Sequence, residues 1–270
     1  IIPYTRGRVR SLPVERCAAQ TEELAARGFR ELVITGIEIA AYGRDLEPKC
    51  TLADAIEAIA DKAGDMRLRL GSLEPTVITE DFVRRLKATG KVCDHFHLSL
   101  QSGCDETLKR MNRKYDTARF FEATELLRKY FPNCGMTADL IAGFPGETDE
   151  NHADTLAFIR KCGFSDMHVF PFSQRPGTKA AAMEGQLTNA VKAKRASDVQ
   201  KTASEMEDEY LKSCIGRKLS VLFETEKDGL SVGHATNYTQ VCAHGEYLRG
   251  IVKIVEITQI RDKILVGMTV

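Results

Sequence analysis

The chain has 270 residues, 43% of them hydrophobic, and its 38 basic and 38 acidic side chains leave a formal charge of zero. That length buries a substantial core with room for a large and a small domain, and the balanced charge excludes a whole-molecule affinity for nucleic acid, though not a local basic patch. No apolar run reaches about eighteen residues, which excludes a membrane-spanning helix, and eight scattered cysteines without a C-x2-C clip read as the reduced thiols of a cytoplasmic protein.

The opening Ile1-Ile2-Pro3-Tyr4 lacks an initiator methionine and leads into Arg6, Arg8 and Arg10 at alternating positions, either an exposed basic loop or an anion or RNA contact. Val14 to Arg27 reads as a helix closed by Gly28, and Glu31 to Thr35 as a strand running into Gly36-Ile37-Glu38. Thr51 caps a helix with Leu52, Ile56 and Ile59 on one face and Asp54 in the capping-box position. Arg67 to Ser72 is a strand followed by Leu73-Glu74-Pro75, and Thr79 caps a helix that turns Phe82, Val83 and Leu86 inward. His95 to Leu100 is the next strand; period two aligns His97, Ser99 and Gln101 on one face. A helix over Thr117 to Tyr130 follows, then a strand Thr137 to Ala142 that stops at Gly143-Phe144-Pro145-Gly146. Thr148 caps the helix Asp149 to Cys162, which ends at Gly163, and Met167 to Phe172 is the last strand of the series.

Five strands separated by helices predict right-handed βα units on a parallel sheet, with the chemistry at the C-terminal strand ends. Residues 189–215 read as a helical connector, charged on most sides, with a thin apolar stripe of Val191, Val199, Met206 and Leu211. After Gly216 the helical period gives way to short β-branched segments: Leu219 to Glu224, Leu230 to Thr236, Tyr238 to Cys242, Leu248 to Thr258 and Ile264 to Val270. They predict a small antiparallel barrel.

Several residues invite chemistry. His95-x-His97 suits metal ligation from one strand, but no carboxylate or cysteine at sensible spacing completes the set, so both histidines read as packed and hydrogen-bonded and no metal ligand is assigned. Cys104 follows a strand without an adjacent base. Glu38 and Glu74, at neighbouring strand ends, offer acceptors for an amine or ribose hydroxyls. Arg113 offers a bidentate fork to a carboxylate, against the simpler reading of a solvated basic stretch. Gly143 and the carbonyls of Pro171 to Ser173 offer backbone contacts to a flat base.

The order of segments resembles the radical S-adenosylmethionine methylthiotransferases. The matching stretches are residues 1–8, Ile34-Thr35-Gly36-Ile37-Glu38 with Tyr42-Gly43, Arg69 to Pro75, His97 to Cys104, Met111 to Tyr115, Leu140 to Glu147 and Phe172 to Thr178, with a C-terminal barrel similar to a TRAM domain. Within the family, His97 to Cys104 and Phe172 to Thr178 look most like the MtaB branch. The resemblance implies an α/β fold, an incomplete (β/α)6 partial TIM barrel with about five parallel strands over residues 1–188. A helical linker over 189–215 and an RNA-binding, TRAM-like barrel over 216–270 complete the implied chain.

It further implies S-adenosylmethionine held by Gly36, Glu38, Ser72, Glu74, Gln101, Arg113, Gly143 and Phe172. Arg6, Arg8, Arg10 and the barrel would grip a tRNA anticodon stem-loop, and an electron donor would serve as a further partner. The expected reaction is 2-methylthiolation of threonylcarbamoyladenosine; the alternatives are isopentenyladenosine, a ribosomal protein, or a non-catalytic RNA-binding module. The family's 4Fe–4S cysteines fall immediately before Ile1. The chain therefore reads as a fragment lacking its first strand and cluster loop, inactive by itself.

Overall fold

The computed structural model describes residues 7–227, 229–244 and 248–270; Arg6 lies outside them. Five parallel strands and their helices form the larger part. The strands are β1 (Glu31–Ile34), β2 (Arg67–Leu70), β3 (His95–Gln101), β4 (Gly135–Ala142) and β5 (Asp166–Pro171). β1 pairs with β2, and β4 pairs with β3 on one side and β5 on the other, all in parallel. Leu73 joins the two groups: its N–H donates to the His97 carbonyl and its carbonyl accepts from Ser99 N–H, at 2.8 and 3.0 Å. The result is one curved succession of strands in chain order.

Local signals set the helices. The helix α1 (Val14–Ala26) ends just before Gly28 at φ +84°, and Thr51 and Asp54 form the reciprocal capping box of α2 (Leu52–Lys62). Thr79 caps α3 (Glu80–Ala88) through the Phe82 N–H. A short helix that the sequence pattern did not disclose, α4 (Asp105–Arg110), precedes α5 (Thr117–Tyr130). In α6 (Asp149–Cys162) Thr148 and Asn151 cap reciprocally, and left-handed Gly163 stops the helix. Strand alternation sends Phe96, Leu98 and Leu100 of β3, with Met136, Ala138 and Leu140 of β4, into the helix-covered core. Each such large apolar side chain contributes roughly 1.5–3 kcal/mol by burial. The opposite, concave face is left with His97, Ser99, Thr137 and Asp139.

The stretch expected to be a connector is a packed wall. Helix α7 (Asn189–Ser213) places Ala196, Val199, Ala203 and Met206 in the main core, and Leu211 in a second core inside the barrel. Val191, expected in the apolar stripe, is instead exposed. Charge patterning hid the wall because Lys192 and Arg195 are themselves buried in it.

The C-terminal strands are β6 (Lys218–Lys227), β7 (Leu230–Ala235), β8 (Gln240–Ala243), β9 (Val252–Arg261) and β10 (Ile264–Thr269). They close in the order β10-β8-β7-β6-β9. Four ladders are antiparallel as expected; the β8–β10 pair that closes the barrel is parallel. β9 begins later than the apolar pattern suggests, because Leu248 to Ile251 forms a turn with Gly250 at φ +77°.

The barrel docks against the N-terminal ends of the parallel strands. Glu31 of β1 accepts from Arg67 Nε at 2.5 Å and from Arg69 Nε at 2.9 Å, which aims both guanidinium groups at the barrel. Arg67 then donates to the carbonyls of Ser220 and His234, and Arg69 to those of Ala235 and Thr236. Tyr238 stacks between His95 and His234, with the Arg69 guanidinium over its ring at 4.8 Å. Burial alone would raise the Glu31 carboxyl, but the hydrogen bonds and charges of Arg69 and Arg67 outweigh it and hold it below its ordinary value of 4.5. Its contribution is therefore present above 4.5 and is lost as pH falls through the folded value. Glu31→Gln is expected to cost about 3 kcal/mol at neutral pH, since it strands two buried cations. The gap from the parent in denaturant unfolding should shrink steadily below pH 4.5; a gap independent of pH would contradict the assignment.

Candidate cofactor site

The C-terminal strand ends carry three groups of the residues expected to bind. The first is central. Ser72 and Ser99 share a hydrogen bond of 2.7 Å between their hydroxyls, across the ends of β2 and β3. Gln101 does not continue the strand alternation: the β3–β4 register shifts between Leu98 and Gln101, and Gln101 adopts φ +65°. Beside it, the Tyr115 hydroxyl donates to the Ser99 and Leu100 carbonyls at 2.5 and 3.2 Å, pinning the irregular strand end. Burial raises the Tyr115 phenol; Arg113 pulls it down and Glu74 pushes it up, with a net rise that keeps it a donor. Glu74 itself accepts from the Thr76 hydroxyl at 3.0 Å. Arg113 Nε is buried with no hydrogen-bond partner. A half-buried guanidinium with a buried, unused Nε donor is ready for an anionic or carbonyl acceptor.

The second group lies at the end of β1. Gly36 and Glu38 share a cleft of about 600 Å³ with Arg8, Arg10, Cys17 and Tyr42. The segment bearing the two arginines is anchored through Ser11, which donates to Asp45 from its backbone N–H and its hydroxyl and accepts from Gly43 N–H. Tyr42 adds a 2.6 Å bond to the Leu12 carbonyl. Residues assigned separately to RNA and to cofactor thus line one space.

The third group is at the ends of β4 and β5. Phe172 packs edge-on against Phe144, with ring centroids 5.2 Å apart and Lys192 Nζ 5.2 Å from its centroid. Gly143, at φ +75°, is buried, and the space a side chain would need is already filled by Lys192. Its N–H donates to the Glu147 carboxylate, which Arg195 grips from α7 at 2.9 Å. Gly143 therefore fastens the loop to α7 with its Cα side, rather than leaving that side open to a ligand.

The expectation for the histidines needs correction. His95 is packed as expected, but His97 has a carboxylate after all. Its Nε2 lies 3.2 Å from Asp139 on β4, whose other oxygen lies 3.2 Å from His168 Nδ1 on β5. Spacing along one strand could not reveal partners supplied by its neighbours; aligning Thr137-x-Asp139 beside His95-x-His97 at the same period was the available signal. Among the described residues this is the one group of three close potential metal ligands, and it contains no cysteine. The described residues therefore do not form an iron–sulfur ligand set. The unpaired Arg113, the Ser72–Ser99 pair and Glu74 do fit the polar end of an amino-acid-bearing cofactor.

The sequence profile of the Radical SAM superfamily matches residues 1–159. The chain belongs to the radical SAM superfamily. Among similar proteins, threonylcarbamoyladenosine tRNA methylthiotransferase MtaB of Thermotoga maritima is 38% identical over 224 residues, covering 83% of this chain and 51% of that protein. A tRNA-2-methylthio-N(6)-dimethylallyladenosine synthase of Clostridium botulinum is 34% identical, covering 83% of this chain and 50% of that protein. The chain spans about half the length of the curated relatives it matches. The structure of the radical SAM enzyme coproporphyrinogen III oxidase from Escherichia coli superposes with a TM-score of 0.51 at 15% identity, over 83% of this chain and 59% of that one, a likeness of fold alone. Radical SAM membership implies S-adenosylmethionine and a 4Fe–4S cluster as the superfamily's cofactors.

Gly143→Ala should be more damaging than Gly177→Ala. Both positions have positive φ, but the new methyl at 143 meets Lys192 Cγ at 2.7 Å and its Cα at 3.1 Å, whereas nothing lies within 4 Å at 177. The backbone strain common to both is about 1–3 kcal/mol, and overpacking adds a similar amount at 143 alone. Urea midpoints of the two variants check this; equal losses would remove the packing role given to Gly143.

Proposed function

We propose that the chain is the catalytic and RNA-binding part of a tRNA methylthiotransferase that modifies C2 of threonylcarbamoyladenosine beside the anticodon. The observation that carries this reading is the buried, unpartnered Arg113 Nε in a radical SAM fold whose β2 and β3 ends are joined by the Ser72–Ser99 hydroxyl pair. The greater identity to the MtaB-named relative, 38% against 34% for the dimethylallyladenosine synthase, supports the substrate branch.

Bound S-adenosylmethionine would supply the radical chemistry at the adenine. Arg113 would hold its carboxylate by a charge-assisted fork, and Gly36 and Glu38 would receive its amino group. Ser72, Glu74 and Gln101 would hold its other polar groups. Phe172 and the loop at Gly143 would flank its adenine, with Phe144 and Phe172 excluding water from that end. These residues bind and orient; the reaction belongs to the cofactor.

The division we favour is a radical SAM part at 1–188, a helical connection at 189–215 and a TRAM-like barrel at 216–270. RNA would reach from Arg8 and Arg10 at the rim, with Arg6 preceding them in sequence, towards the barrel. Exposed Lys253, between exposed Val252 and Ile254 on β9, supports a local basic contact there. The target base must be unstacked to enter. A tRNA substrate would put the protein in the cytoplasm; separately, no helix among the described residues is long and apolar enough to cross a membrane. An electron donor is the remaining partner required.

The test is nucleoside mass spectrometry of tRNA from cells lacking the full-length gene, complemented with parent or Arg113→Gln. The parent should restore 2-methylthio-threonylcarbamoyladenosine, and Arg113→Gln should reduce it by about tenfold to a hundredfold, the worth of a hydrogen bond to a charged group. Loss and rescue of the isopentenyl form instead would reassign the substrate, and an unchanged nucleoside profile would overturn the tRNA reading.

A further inference from the structure

We propose that His97, Asp139 and His168 form a binding site for one divalent first-row transition-metal ion on the concave face of the sheet. Its donors are two imidazoles and a carboxylate, not the thiolates of an iron–sulfur cluster.

Three neighbouring strands build it. Parallel register places His97 opposite Thr137, two residues before Asp139, and Asp139 opposite His168, so two imidazoles and one carboxylate from three consecutive strands converge through their side chains. The ligand atoms all lie within 4.8 Å of one another. Asp139 stands between the rings, with one oxygen 3.2 Å from His97 Nε2 and the other 3.2 Å from His168 Nδ1. Ligands about 2.0 Å from a tetrahedral ion are about 3.3 Å apart; each imidazole stands at that distance from one oxygen of Asp139, so a single ion requires the carboxylate to turn one oxygen towards both rings or to chelate through both. Two imidazoles and a carboxylate are borderline donors, suited to zinc, iron(II) or cobalt(II) rather than to calcium or magnesium.

The surrounding groups support ligation. His97 Nδ1 lies 2.8 Å from the Thr137 hydroxyl, which also lies 3.1 Å from His95 Nε2. When Nε2 of His97 binds an ion, Nδ1 must carry the proton, and Thr137 can accept it while donating onward to His95. This is an outer-shell arrangement of the kind that fixes a metal-binding imidazole. His168 is more than half exposed, which gives an ion an entry path and leaves a coordination position open. Ser99 follows two residues after His97, and Asp139 two after Thr137, the strand partner of His97, so the ion would sit within roughly 7 Å of the Ser72–Ser99 pair. An exogenous ligand of the ion would therefore face the same concavity as the cofactor residues.

Cobalt(II) titration of this chain, followed by visible absorption and equilibrium dialysis, tests the site without requiring catalysis. One equivalent with d–d absorption is expected. His168→Ala, at an exposed position, should weaken uptake by at least about a hundredfold, more than loss of an outer-shell group does, and Thr137→Val by about tenfold to a hundredfold. His152→Ala, remote from the site, should leave uptake unchanged. The proposal is overturned by the absence of stoichiometric uptake. It is equally overturned by thiolate charge-transfer absorption that persists in both His168→Ala and Asp139→Asn, which would place the ion on cysteines.

Discussion

The two arginines of β2 and the single carboxylate of β1 hold this molecule together. Each guanidinium has one side committed to Glu31 and the other to barrel carbonyls, so the strand pairing and the barrel docking use the same side chains. Arg69 is only 4% exposed, and an unpaired cation there would be costly. Glu31 balances both charges only because parallel β1–β2 register places it opposite Arg67 and two residues from Arg69. With that geometry set, the β7–β8 turn has one seat: Tyr238, itself at φ +71°, enters between His95 and His234 and closes the lower end of the concave face. Gly135 leaves no room for a methyl group against the Asn237 carbonyl, so the same close approach is built into β4.

Closure at the bottom grades the concave face from dry to wet. His95 is buried against Tyr238, whereas His97, Asp139, Ser72, Ser99 and Gln101 beyond it are all partly exposed. The gradient suits the chemistry assigned to each level. A neutral imidazole is tolerable where water is absent, whereas ion-binding and carboxylate-binding groups stand where a ligand can enter and desolvate them. The distance from His95 to Gln101 is about 20 Å along the strand, so the barrel lies at the far end from the cofactor residues. RNA that touches both must pass along the side of the sheet rather than across its face.

Much of the backbone plan was legible because it is written in local chemistry. Thr51 with Asp54, Thr79, and Thr148 with Asn151 satisfy N–H groups within a few residues, and Gly28 and Gly163 end helices by their own conformational freedom. The cross-strand features were not legible in the same way. Period two assigns His97 to a face but says nothing about which residue of β4 stands beside it, so Asp139 went unpaired in the sequence reading. Gln101 fits the period-two pattern of the sequence, yet in the structure a register shift beside the Tyr115 hydroxyl takes its backbone out of that alternation. Residues 189–215 read as a solvated connector because Lys192 and Arg195 look like surface residues. They are buried because Lys192 packs against Gly143, while Arg195 is satisfied by Glu147 and Asp149.

Helix α7 also explains how the two ends of the molecule keep their spacing. Its 25 residues make a rod of about 37 Å. Near its start, Lys192 and Arg195 fasten the loop after β4, beside Phe172 at the end of β5. Near its finish, the Tyr210 hydroxyl donates to the Asn133 carbonyl just before β4 and accepts from Asn237 of the barrel, and Leu211 enters the barrel core. The helix therefore runs antiparallel to β4 and is fixed at both ends of that strand. A change of side-chain packing at either end must be absorbed by a continuous helix rather than by a loop. The rim that holds the cofactor residues and the barrel proposed to hold RNA are thereby measured off by one rigid element.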